Sequence, residues 1–144
     1  MNRELTFHLP SDVRGIQRFV DVLLGHGHGL GFDPGRLRLN LRVGVTEALT
    51  NAMLYGNRGE VRRTVAVHAR FSRDEIVIRV TDEGTGFDPE DVPDPTTPTN
   101  RRRVHGRGIF LIRQLMDRVE YNELGNSVEM RLTNGPAGPI QRVS

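Results

Sequence analysis

Three groups of residues in this 144-residue chain combine types and spacings that suit chemistry. The first is Glu47-Ala48-Leu49-Thr50-Asn51. On a helix, residues four apart lie roughly 40° apart around the axis, so Glu47 and Asn51 point the same way. A carboxylate so placed can orient or deprotonate an attacking hydroxyl. An amide oxygen beside it suits Mg²⁺, a hard cation that keeps waters and phosphates as its other ligands. The competing reading is a solvated polar face on an amphipathic helix. The second group is Asp82-Glu83-Gly84-Thr85-Gly86, directly after the β-rich run 76–80. Asp82 there can accept a hydrogen bond from an exocyclic amine such as adenine N6. Gly84 and Gly86 let the backbone approach a flat base or a phosphate closely. An ordinary Asp-Gly turn is the alternative. The third is Gly106-Arg107-Gly108, expected to open a helix. Free N–H groups at a helix start attract phosphate, and glycine removes side chains that would block it; the alternative is punctuation before a helix.

The elements that must position these groups follow from periodicity. Residues 3–9 alternate, with Leu5, Phe7 and Leu9 on one face, as in a half-buried strand. Ser11 or Asp12 then caps a helix whose apolar stripe is Val13, Ile16, Phe19, Val20, Leu23 and Leu24, stopped by the glycine and histidine run 25–29. Asp33 and Pro34 open a second helix that runs towards Tyr55 with Leu37, Leu41, Val45, Ala48 and Ala52 inward. Residues 64–71 and 75–81 form a hairpin around 72–74. Residues 89–103, rich in Pro, Asp, Thr and Arg, are the one long loop, of a length usual for a functional lid or a disordered segment. A third helix is expected over 109–117, then strands over 119–122 and 127–132, and a frayed tail over 134–144. One domain spanning 1–144 results, an α+β fold: a two-layer sandwich with helices on one face of a mixed, mostly antiparallel sheet.

Composition removes several classes. All 20 basic residues are arginine, and no lysine means no Walker A loop. Without cysteine there are no disulfides or thiolate metal sites, which is compatible with a cytoplasmic home. The formal net charge is only +2, and the arginines lack interleaved aromatics, so direct nucleic-acid binding is not expected. No apolar run approaches the ~20 residues needed to cross a bilayer, so no membrane role is expected. The N-terminal residues carry charges of both signs and no apolar core, so no signal peptide is expected. G-x-S-x-G is absent, and no hydrolase triad stands out. Arg101, Arg102 and Arg103 adjoin the third group and can contact phosphates or simply be solvated. His26 and His28 are read as a glycine-flanked loop rather than a metal pair.

The order of the three groups resembles the Bergerat-fold, histidine-kinase-like ATPase superfamily. Its N box matches Glu47 to Asn51, and its two glycine boxes match Asp82 to Gly86 and Gly106 to Gly108. More narrowly, the stretch from Glu47 to Asn57 and that from Gly106 to Asp117 are similar to the anti-sigma-factor serine/threonine kinases. The resemblance implies Glu47 as general base, Asn51 as the Mg²⁺ ligand and Asp82 as the adenine reader. It implies nucleotide contacts at Asn51, Tyr55, Asp82, Gly84, Gly86, His105, Gly106, Arg107, Gly108, Ile109 and Phe110. Ser127 falls where that family often has a threonine. The implied cofactors are ATP and Mg²⁺; the implied partners are a sigma factor, an antagonist protein and a second copy in a homodimer. Two other classes stay open: a non-catalytic ATP-binding module that sequesters a partner, and a detached histidine-kinase catalytic domain. The latter is disfavoured because no helix carries a phosphoacceptor histidine.

Overall fold

The computed structural model describes residues 2–84 and 104–135, with backbone alone at 104–109. Five strands are present: β1 (Arg3–Pro10), β2 (Thr64–Phe71), β3 (Glu75–Thr81), β4 (Arg118–Tyr121) and β5 (Ser127–Thr133). They form one sheet in the order β1-β2-β3-β5-β4, and all four pairings are antiparallel. The period of two sorts the side chains by face. One row across the sheet reads Phe7, Val67, Val80, Val128, Tyr121, and the next reads Leu5, Ala69, Ile78, Met130, Val119. These rows belong to the apolar core shared with the helices. The intervening row, Thr6, His68, Arg79, Glu129 and Glu120, faces the other way. Charges there pair across strands, with Arg131 Nη1 2.7 Å from Glu75 Oε2.

Asp12 caps the turn after β1, accepting the Arg14 N–H at 3.0 Å. A single 3₁₀ turn (Val13–Gly15) precedes α1 (Ile16–Gly27). Val13, expected on the inward stripe, is 43% exposed because it lies on that 3₁₀ turn. The helix does not stop at Gly25 but runs to Gly27, whose bare Cα fits against Leu37 and Ile76. Asp33 caps the second helical run as expected, its Oδ2 accepting Arg36 N–H at 3.1 Å with Pro34 in the first turn. That run is α2 (Pro34–Arg36), a π segment (Leu37–Leu41), α3 (Arg42–Asn51) and a second π segment (Ala52–Gly56).

The last helix, α4 (Val104–Leu115), starts five residues earlier than the apolar periodicity predicts. Gly106 and Gly108, residues of low helix propensity, lie within it. Ile112 is fully buried, and Met116 Sδ fills the space beside Gly44. The helix ends at Leu115, short of the expected 117, because Asp117 N–H already donates to Arg131 O of the sheet. Asn40 Nδ2 satisfies the exposed end by donating to Leu115 O at 2.7 Å. Asn134 is held by bonds to Asp74 O, Arg73 O and Leu30 O, so it belongs to the fold rather than to the tail. The expected lid at 89–103 and the rest of the tail lie outside the described residues. No described helix is long and apolar enough to cross a membrane.

Candidate functional site

The site starts on α3. Val45, Ala48, Leu49, Ala52 and Met53 are buried and bind this helical run to the sheet. Glu47 and Asn51 are therefore turned to the flank of that face, each half-buried. Among the described residues the Glu47 carboxylate makes no hydrogen bond or ion pair. Asn51 Nδ2 is buried and has no hydrogen-bond partner among the described residues. A buried amide group normally has one, and leaving it bare costs about 1–3 kcal/mol. A π segment follows Asn51 directly, a geometry that occurs mostly as single turns inside α-helices and is frequent at functional sites.

Asp82 reaches the same end of the helical run from the sheet. Val80 points to the helices and Thr81 away, so alternation turns Asp82 back towards the helices. Its N–H donates to Asn126 O at 2.9 Å, and Asn126 Nδ2 donates back to Asp82 O at 3.3 Å. Its Oδ1 accepts the Gly84 N–H at 2.7 Å. Burial pushes the Asp82 carboxyl above its ordinary pKa, opposed by the Gly84 N–H and by the charge of Arg63. A Cβ at Gly56 would collide with this carboxylate, and one at Gly84 would collide with the Gly56 carbonyl oxygen. Glycine at both positions is what lets the turn and the helix end touch.

Asn57, which the sequence reading names only as the end of the stretch from Glu47, is the buried junction behind this contact. It is 0% exposed. Its Nδ2 donates to Ser11 Oγ at 2.9 Å and to Thr64 O at 3.0 Å, and its Oδ1 accepts Glu83 N–H at 2.7 Å. Glu83 Oε2 accepts both the hydroxyl and the N–H of Thr64, at 2.7 and 2.9 Å, and these bonds lower its pKa. The signal available in sequence was that Asn57 and Glu83 each belong to a motif-bearing stretch; nothing there paired them.

The other expected residues are placed as follows. Ser127 turns its hydroxyl onto that of Thr81 at 2.7 Å, on the sheet face away from the helices. Tyr55 and Phe110 are each 42% exposed. His105, Gly106, Arg107, Gly108 and Ile109 lie in the first turns of α4, which packs on α3. Their side chains, and the whole of Gly86 and Arg101 to Arg103, lie outside the described residues. His26 Nδ1 accepts from Arg3 Nη1 at 2.8 Å, and among the described residues no three metal-ligating side chains cluster.

An ATPase-type site held between a helix and a strand end defines a class, and comparison with known proteins agrees with it. The family model described as "Histidine kinase-like ATPase domain" matches residues 8–132. The chain is 31% identical over 137 residues to "Serine-protein kinase RsbW" of Listeria innocua, covering 90% of this chain and 87% of the relative. The same figures hold for the protein of that name from Listeria monocytogenes. It is 32% identical over 97 residues to "Anti-sigma F factor" of Oceanobacillus iheyensis, covering 62% of this chain and 65% of the relative. The chain belongs to the histidine kinase-like ATPase domain family, in the branch of the anti-sigma-factor kinases.

Proposed function

We propose that the chain is an ATP-dependent serine/threonine protein kinase that regulates a sigma factor by partner switching. The observation that carries this reading is the buried Asn51 Nδ2, which has no hydrogen-bond partner among the described residues, one turn from a Glu47 carboxylate that also has none there, on the helical run whose end meets Asp82. Glu47 favours a kinase over a pure binding module, because a binder does not need a base. The named relatives, a serine-protein kinase and an anti-sigma factor, support the same activity.

In this reading Asp82 accepts the adenine amine, and Gly84 and Gly86 leave room for the base. The first turns of α4 offer backbone N–H groups to the phosphates. The side chain of Asn51 fits a Mg²⁺ site, because it supplies one hard oxygen and leaves the other positions to phosphate and water. Bound there, Mg²⁺ would neutralise charge on the phosphates. Glu47 accepts the proton of the acceptor hydroxyl as its oxygen bonds to the γ-phosphorus. The bond to the β-phosphate oxygen breaks, and ADP leaves. The phosphate adds about −1.5 to −2 charge to the antagonist at pH 7, enough to disfavour its docking and free this chain for the sigma factor. A homodimer belongs to the same proposal.

Incubation with γ-labelled ATP, Mg²⁺ and a sigma-factor antagonist domain tests this. Label on a serine or threonine of the antagonist is expected with the wild type, and none with Glu47→Gln, which should still bind ATP. Equal labelling by Glu47→Gln would remove Glu47 from the role of base.

A further inference from the structure

We infer that Asn57 is a positioning residue for nucleotide recognition: through the Glu83 backbone it sets where the Asp82 carboxylate stands relative to the helix that carries Asn51. The inference rests on the nucleotide reading above. Asn57 and Ser11 are the two buried polar side chains among the described residues. The Asn57 amide sits where four segments meet, and every one of its bonds joins a different one: Ser11 after β1, Thr64 at the start of β2, and Glu83 in the turn after β3. Its own N–H donates to Ala52 O at 2.8 Å, fixing it to the π segment. A ring closes through the turn. Asn57 donates to Thr64 O, Thr64 N–H donates to Glu83 Oε2, and Glu83 N–H donates to Asn57 Oδ1.

The placement of this ring separates positioning from mere stability. Burying an amide gains little net stability over an apolar side chain of similar shape. What an amide adds is direction, because both its donors and its acceptor must be met at fixed angles. The acceptor is spent on the N–H adjoining Asp82, and the residue providing it follows Gly56, the glycine that Asp82 touches. Displacing Glu83 by even 1 Å would take that bond beyond ~3.5 Å and move the carboxylate off the line to a base amine.

The test uses the full chain and two nucleotides, ATP and inosine triphosphate. The second carries a carbonyl where adenine carries its amine, so it has nothing there to donate to Asp82. Titration calorimetry of wild type, Asn57→Ala and Thr64→Val gives the ratio of the two affinities. Asn57→Ala should lower ATP affinity about tenfold and that for inosine triphosphate less than about twofold, the size of one hydrogen bond to a charged group. Thr64→Val keeps a β-branched strand residue and the backbone bond but removes the hydroxyl from Glu83. It should shift the ratio the same way by about two- to fivefold, and it decides the matter if Asn57→Ala does not fold. Equal weakening of both nucleotides, or an unchanged ratio in the folded variants, would overturn the inference and leave Asn57 a structural residue. A wild type that binds both nucleotides equally, or neither, would overturn the adenine reading itself, a separate result visible before any variant is made.

Discussion

A methyl group added at Gly84 has no room. Its Cβ would overlap the Gly56 carbonyl oxygen and stand 2.8 Å from the carbonyl carbon and 3.0 Å from Asp82 Oδ1. Ordinary contacts between carbons are about 3.5–4.0 Å, so the turn and the helix end must part by roughly 1 Å. The obstacle is backbone, which cannot turn aside as a side chain can. Glu83 N–H and Asn57 Oδ1, 2.7 Å apart, would then separate and leave the buried Asn57 oxygen unmet. Overpacking costs about 1–3 kcal/mol and a broken buried bond about 1–3 kcal/mol, partly overlapping, so Gly84→Ala should lose about 2–4 kcal/mol. Equilibrium urea denaturation measures this, with an unchanged slope showing that the unfolded state is not responsible. Gly25→Ala is the paired control. Nothing lies within 4 Å of its Cβ, and it sits inside α1, so it should gain about 0.5–1 kcal/mol. A Gly84→Ala protein within about 0.5 kcal/mol of wild type would refute the close approach of the turn to the helix.

Three further expectations share that apparatus. Asp82→Asn should weaken ATP at least about tenfold, yet raise stability slightly at pH 7. Burial raises the Asp82 pKa, so its charged form opposes folding above that range, and the amide removes the penalty; lower stability would contradict this sign. At Asp117, burial acts upward but is outweighed by the Thr133 N–H and hydroxyl and by Arg36, so its pKa is lowered. Its contribution to stability is present above the ordinary carboxylate pKa of 3.8 and lost as pH falls through the folded value. Asp117→Asn should cost about 1 kcal/mol at pH 7, given the partial exposure of the pair, and should flatten the acid limb of a stability profile. Leu49→Ala, at a fully buried position on α3, should lose about 2–5 kcal/mol in the same denaturation experiment.

What the sequence made legible was whatever depended on local pattern. The hairpin of β2 and β3 has the expected bounds because alternation and a polar three-residue link define it without help from elsewhere. Asp33 and Pro34 mark a helix start by local chemistry alone, and they do so in the structure. The start of α4 was not legible, since the apolar periodicity begins only at Ile109 and Gly106 and Gly108 have low helix propensity. The π segments on both sides of α3 leave no trace in apolar spacing. The site divides in the same way. Glu47, Asn51 and Asp82 stand out by type and spacing, whereas the bond between Asn57 and Glu83 joins residues 26 apart in sequence and is set by tertiary contact. Ser127 could be placed at the start of a strand, but only the strand register shows that its hydroxyl meets Thr81 on the far face of the sheet.

Calorimetric titration of the folded wild-type chain with ATP, with and without Mg²⁺ and against GTP, tests the central claim most directly. The account predicts one saturable site that prefers ATP, is strengthened by Mg²⁺, is lost in Asp82→Ala and is kept in Glu47→Gln. No binding by folded protein, or binding indifferent to Asp82, would contradict it.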